Sequence, residues 1–133
     1  MRIALALLAT LLIMYVVTFV IYGVVAAVTG LEPPQDGSPA RFLLGVLITK
    51  LGLALGFVLL FALAREVWQA RWPVYALIWW VLFAVSEIGQ AVAPGYSWLE
   101  AAGGIMAEAV YCPLSAWATA RLLGGRGAGR VAA

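Results

Sequence analysis

The chain has 133 residues, of which 65% are hydrophobic and 11% charged, with a formal net charge of +2. A soluble domain is nearer half apolar and a quarter charged, so this composition excludes both a soluble globular protein and a disordered chain. It leaves an integral membrane protein with little mass outside the bilayer.

A bilayer core takes roughly 20 apolar residues per helix, and four runs meet that need. The first, residues 3–28, carries no charge. It exceeds the apolar stretch of a signal peptide, roughly 7–15 residues, and reads as a retained span, with Ala26-Ala27 the one candidate cleavage point. Residues 30–40 then form a turn-rich loop containing Pro33, Pro34, Asp36-Gly37 and Pro39. The second span, 42–64, is interrupted only by Lys50. Arg65 to Trp72 reads as a short polar turn. The third span, 73–92, opens on Pro73, whose missing N–H costs nothing at a first helical position. It contains Glu87 and ends before Pro94-Gly95. Ser97 and Glu100 have capping-box spacing for the fourth span, 98–122, which makes Glu100 a cap rather than a functional acid. Glu108 is embedded in that span. Pro113 cannot donate to the carbonyl of Ala109, so it either bends the helix or frees an oxygen ligand beside Glu108. Residues 124–133, rich in Gly and Arg, read as a flexible cytoplasmic tail. The expected architecture is an all-α integral membrane protein: one domain, 1–123, forming a four-transmembrane-helix bundle.

The basic residues orient it. Arg2, Arg65, Arg71, Arg121, Arg126 and Arg130 fall on one side of a four-span chain, and Arg41 on the other. The positive-inside rule then puts both termini in the cytoplasm of a plasma (inner) membrane, as in bacteria. Trp68, Trp72 and Trp117 suit an inner aromatic belt, and Tyr96 and Trp98 an outer one. Trp79 and Trp80 lie deeper, against lipid or neighbouring helices.

Missing residue types narrow the chemistry. There is no histidine and one cysteine, Cys112, which removes His-ligated metals and haem, disulfides and CxxC chemistry. A single aspartate, Asp36, cannot form an aspartyl dyad. Zincin, nucleophile-elbow and phosphate-loop motifs are absent. No cofactor, metal or nucleic-acid partner is expected.

Three ionisable residues have no topological role. At 1.5 Å per residue, Lys50 and Glu108 each lie ~12 Å below the outer edge and Glu87 ~7 Å. Three helices therefore bring one charge each into a single outer layer, and such charges face protein or water rather than lipid. On the fourth span Gly104, Glu108, Tyr111 and Ser115 share a stripe. Glu87 and Gln90 share a face of the third. Tyr15, Thr18 and Tyr22 form the only polar stripe of the first. These stripes are expected to converge on the interior, making Lys50, Glu87, Gln90, Glu108, Tyr111, Thr18 and Tyr22 the candidate binding residues. On the second span Gly45, Thr49, Gly52 and Gly56 form a small-residue stripe beside Lys50, for packing within the chain or for a dimer seam.

One lysine faces two glutamates. If it pairs with one, the other needs a proton, a cation, water or Arg41. Three functions remain open. A non-catalytic membrane subunit or assembly factor would use the charges as a buried network and bind other subunits or copies of itself within the lipid bilayer. A transport or binding protein would take a small cation, amine or proton at the outer-half site. A lipid-modifying enzyme would use Glu87 and Glu108 as acid and base. It has the least support, because no motif or metal set accompanies the pair.

Overall fold

The computed structural model describes residues 1–32 and 37–124. Pro33, Pro34 and Asp36 of the first loop, and the tail from 125 on, lie outside them. The described residues form only helices: α1 (Arg2–Thr29), α2 (Pro39–Leu63), α3 (Arg65–Trp68), α4 (Trp72–Val92) and α5 (Trp98–Leu123). The four long helices match the expected runs to within three residues at each end. The expected polar turn between the second and third runs is corrected. It holds the single helical turn α3, where the Ala64 carbonyl accepts from the N–H groups of Val67 and Trp68 at 3.0 and 3.1 Å.

Local chemistry accounts for the helix ends. Gly30 takes a left-handed φ of 72° and returns its N–H to Ala26 O at 2.8 Å, which closes α1. Ser38 caps α2 by accepting from the Arg41 N–H at 3.3 Å, with Pro39 at the first helical position. α4 starts at Trp72, so Pro73 is its second residue rather than its first. The capping box of α5 forms as expected: Ser97 Oγ accepts from Glu100 N at 3.1 Å, and Glu100 Oε2 accepts from Ser97 N at 2.7 Å. Pro113 does not end α5, which runs on to Leu123.

Three helices, α1, α2 and α4, are long and apolar enough to cross a membrane. α5 is as long as these but carries more alanine and more charge, and its position gives the reason. It packs against both α1 and α4, while α2 leans mainly on α1. α5 therefore buries Gly103, Gly104, Ala107, Ala116 and Ala120, small residues that let two neighbours approach closely. The other long helices turn large apolar side chains outward, including Leu8, Leu12, Leu47, Ile48, Leu82 and Val85. A helix in the centre needs less lipophilic surface than one at the rim.

Thr10 of α1 and Thr119 of α5 are fully buried and share a hydrogen bond of 3.1 Å, fixing the antiparallel register of the two helices. Thr10 thus adds a buried polar residue to α1 beyond the Tyr15, Thr18 and Tyr22 stripe. Hydrogen bonds between membrane helices contribute about 0.6 kcal/mol on average. A double-mutant cycle with Thr10→Val and Thr119→Val, followed by unfolding in a denaturing detergent, is expected to give a coupling of that order. A coupling of zero would contradict the bond.

α2 meets α4 at the end of the bundle nearest α3. Ala54, Phe57, Val58 and Phe61 form the buried face of α2. The Phe57 ring packs on Tyr75 and Trp79, with centroids 4.9 and 5.4 Å apart. Phe61 also packs on Tyr75, whose hydroxyl donates to the Phe57 carbonyl. These bulky residues decide which way α2 turns, and this corrects the expectation that its small-residue stripe packs within the chain. A Cβ at Gly45 or Gly52 would meet nothing within 4 Å, and only Gly56 has a neighbour, the Trp79 ring at 3.7 Å.

Candidate functional site

At the opposite end, where the α1–α2 and α4–α5 connections lie, α2 and α4 separate and the four long helices enclose a cavity of about 850 Å³. All seven candidate residues line it: Thr18 and Tyr22 from α1, Lys50 from α2, Glu87 and Gln90 from α4, Glu108 and Tyr111 from α5. Arg41, Glu32 and Tyr96 line it near its mouth, and Phe19, Phe42 and Val46 supply apolar wall. Tyr15, the third member of its stripe, is not among the lining residues. It packs edge-on against Phe19 at 4.8 Å and donates to Leu43 O at 3.5 Å.

The three deep charges have different surroundings. Glu87 reaches across to α5 and lies over Gly104. A Cβ there would come within 2.6 Å of its carboxyl carbon, so only glycine leaves room for this carboxylate. Tyr96 folds back from the α4–α5 turn and donates to Glu87 Oε2 at 2.6 Å. Burial, followed by this hydrogen bond, pushes the Tyr96 phenol well above its ordinary range, so it remains a donor. Tyr22 lies 3.2 Å from the Tyr96 hydroxyl and donates to Glu100 O at 2.9 Å, its ring packed over Gly103. Each phenol has one proton, and Tyr96 gives its own to Glu87 and Tyr22 its own to Glu100 O, so the 3.2 Å approach of the two oxygens is a close contact rather than a further full hydrogen bond.

Lys50 makes its polar contact to Tyr111 rather than to a carboxylate. Its ammonium is 3.3 Å from the hydroxyl and 4.6 Å from the ring centroid. Lys50 is thus held by a hydrogen bond and a cation–π contact. Glu108 is 5% exposed, and its Oε2 is buried with no hydrogen-bond partner. The charges share one cavity, as their depths suggested, yet one buried carboxylate oxygen is left unmatched.

Aromatic rings close the floor. Tyr111 stands 6.1 Å from Phe83, Phe83 stands 5.3 Å from Trp79, and Trp79 continues the series to Phe57. One side is more open. Gly45 and Thr49 on α2 and Gln90 on α4 line the cavity and are exposed.

Sequence reasoning missed Tyr96, which it assigned to the outer aromatic belt, and Gly103, which receives the Tyr22 ring; Gly104, already placed on the interior stripe of the fourth span, receives Glu87. The one available signal for Tyr96 was its place directly after Pro94-Gly95. Gly95 adopts φ 92°, which turns the chain back over α4. Trp68 and Trp72, also assigned to a belt, pack against the buried core, whereas Trp98 and Trp117 are exposed. Trp80 lies against a neighbouring helix, as expected, and donates to Ile105 O at 3.2 Å.

Among the described residues no three carboxylate or thiol groups lie together as a metal site would require. The arrangement suits recognition of a positive charge: two carboxylates, one of them unsatisfied, with a single lysine turned toward a phenol. No protein-family model, curated protein or solved structure matches the chain.

Proposed function

We propose that this chain is a four-span protein of the plasma (inner) membrane, with both termini cytoplasmic, that binds a small organic amine in its outer-half cavity. The observation that carries the reading is Glu108 Oε2, buried without a partner in the wall of a cavity that holds a second carboxylate. A purely structural network satisfies its buried polar atoms, because each unmatched one costs about 1–3 kcal/mol or more. Cation binding supplies the missing partner. The four-span reading draws support from α5, which packs antiparallel to α1 and α4 and so shares their span. The orientation rests on Arg2, Arg65, Arg71 and Arg121 at the end away from the cavity, with Arg41 near its mouth.

A second reading, as a subunit of a homo-oligomer or of a larger membrane complex, is favoured by one observation. A Cβ at Gly45 or Gly52 would meet nothing within 4 Å, so this side of α2 has no helix against it among the described residues.

The test uses ethylammonium chloride as the probe, with the full chain purified in a mild non-ionic detergent. Ligand at a hundred times its dissociation constant stabilises a folded state by about 2.7 kcal/mol. The thermal midpoint is expected to rise with ethylammonium and not with sodium chloride at equal ionic strength. Glu108→Gln, which keeps the shape, is expected to fold and weaken the response at least about tenfold. Glu87→Gln serves as the second variant should Glu108→Gln not fold. Equal responses to the two salts, or an undiminished response in the folded variants, would end the proposal.

A further inference from the structure

We infer that the ligand is an amphiphilic amine of single positive charge. Its ammonium sits beside Glu108 and Glu87, and its alkyl chain leaves between α2 and α4 into the outer leaflet. This rests on the amine-binding reading above and goes beyond it in naming the class of molecule and its route.

Three independent observations point this way. The first is the side opening. Helix packing joins α1 to α2, α1 to α5 and α4 to α5, whereas α2 meets α4 mainly through Phe57 and Phe61 at the far end. In the outer half, Gly45 and Thr49 line the cavity and are exposed, and the neighbouring Gly52 has nothing within 4 Å of an added Cβ. A seam edged by glycine, with no hydrogen bond across it among the described residues, admits a chain of methylenes from the bilayer. The second is size and wall chemistry. A volume of about 850 Å³ lies in the upper part of the range for sites that hold drug-sized molecules, far beyond the needs of a bare ion or ethylamine. Much of the wall is apolar, including Phe19, Phe42 and Val46, which an alkyl chain covers and a hydrated ion does not. The third is charge. Of the charged residues lining the cavity, the deep ones, Glu87, Glu108 and Lys50, sum to one negative charge, and Arg41, Glu32 and Glu100 lie toward the helix ends. One ammonium balances that sum. A zwitterionic headgroup would leave the imbalance, and an anionic one would increase it.

The experiment is photo-crosslinking in phosphatidylcholine nanodiscs with a dodecylamine that carries a mid-chain diazirine. The matching dodecanol diazirine at the same bilayer mole fraction is the control. The amine is expected to label the peptides around Gly45–Gly52 of α2 and Glu87–Gln90 of α4 about tenfold more than the alcohol does, a difference of about 1.4 kcal/mol in binding. Glu108→Gln is expected to reduce amine labelling to the alcohol level. Gly52→Leu fills the seam from a position outside the cavity lining and away from the charged groups. It is expected to reduce amine labelling while leaving the ethylammonium response of the protein intact. Equal labelling by amine and alcohol overturns the inference, as does amine labelling spread over the outer faces of α1 and α4. If ethylammonium still stabilises the protein in either case, the amine site stands and only the amphiphile and its lateral route fall. If ethylammonium has no effect either, both readings fall together.

Discussion

Gly104→Val is expected to cost the protein both stability and its response to amines. Even the first added carbon would come within 2.6 Å of the Glu87 carboxyl carbon, with both carboxylate oxygens at 2.8 Å. Valine adds two further methyl groups, so Glu87 must leave its place against α5. That breaks the 2.6 Å bond from Tyr96 and leaves a carboxylate inside the membrane without its donor. Overpacking of a tight contact costs about 1–3 kcal/mol, and losing the partner of a charged group adds to it. We expect a thermal midpoint well below that of the parent and at least about a tenfold loss of ethylammonium affinity, equal to about 1.4 kcal/mol. Two controls isolate the cause. Gly52→Val, where an added carbon meets nothing within 4 Å, is expected to change stability by no more than about 0.5 kcal/mol. Gly103→Ala, whose Cβ would lie 3.3 Å from the Tyr22 ring, is expected to fall between the two. Equal effects at Gly104 and Gly52 would show that helix backbone, and not Glu87, responds to the change.

The second large effect is expected from Trp79→Ala. This indole touches three rings, with centroids 5.4 Å from Phe57, 5.3 Å from Phe83 and 6.3 Å from Tyr75. It stands in the row of rings that continues from Tyr111 of the cavity wall and in the contact between α2 and α4. Truncating a fully buried Trp in a water-soluble core costs about 3–5 kcal/mol, and Trp79 is half-buried. Part of that cost is transfer out of water, which a lipid surround does not supply, so about 3 kcal/mol is the upper expectation here. The sole cysteine of the chain offers a direct readout. Cys112 is fully buried, next in sequence to Tyr111 of the floor. A membrane-impermeant maleimide is expected to leave the folded parent unmodified and to modify Trp79→Ala at least about tenfold faster, as an open floor exposes the thiol. A folded Trp79→Ala variant with an unreactive Cys112 would mean that the remaining rings close the floor without the indole.

Much of the fold was written in composition and punctuation. Apolar runs of span length marked the long helices, because each such run must satisfy its backbone internally in lipid. Ser97 and Glu100 gave the start of α5, because a capping box depends only on residues three apart. Depth counting brought Lys50, Glu87 and Glu108 into one layer, because helical rise is fixed. Shared faces brought in Thr18, Tyr22, Gln90 and Tyr111.

What stayed hidden was whatever depends on which neighbour a helix face meets. The small-residue stripe of α2 had the pattern of a helix contact, yet among the described residues no helix packs against Gly45 or Gly52, because Phe57, Val58 and Phe61 claim the interior. Tyr96 had the composition and position of an interfacial anchor, yet the turn at Gly95 carries its hydroxyl to Glu87. Lys50 had two carboxylates within its layer and makes its contact to Tyr111 instead. The sequence by itself determined a helical, membrane-type chain and the depth of its charges, both of which follow from local geometry along single helices. Only the tertiary structure decided which charge is satisfied, where the cavity opens and which glycines are in contact. Those outcomes depend on how each helix is rotated about its own axis, and bulky side chains far along the chain set that rotation.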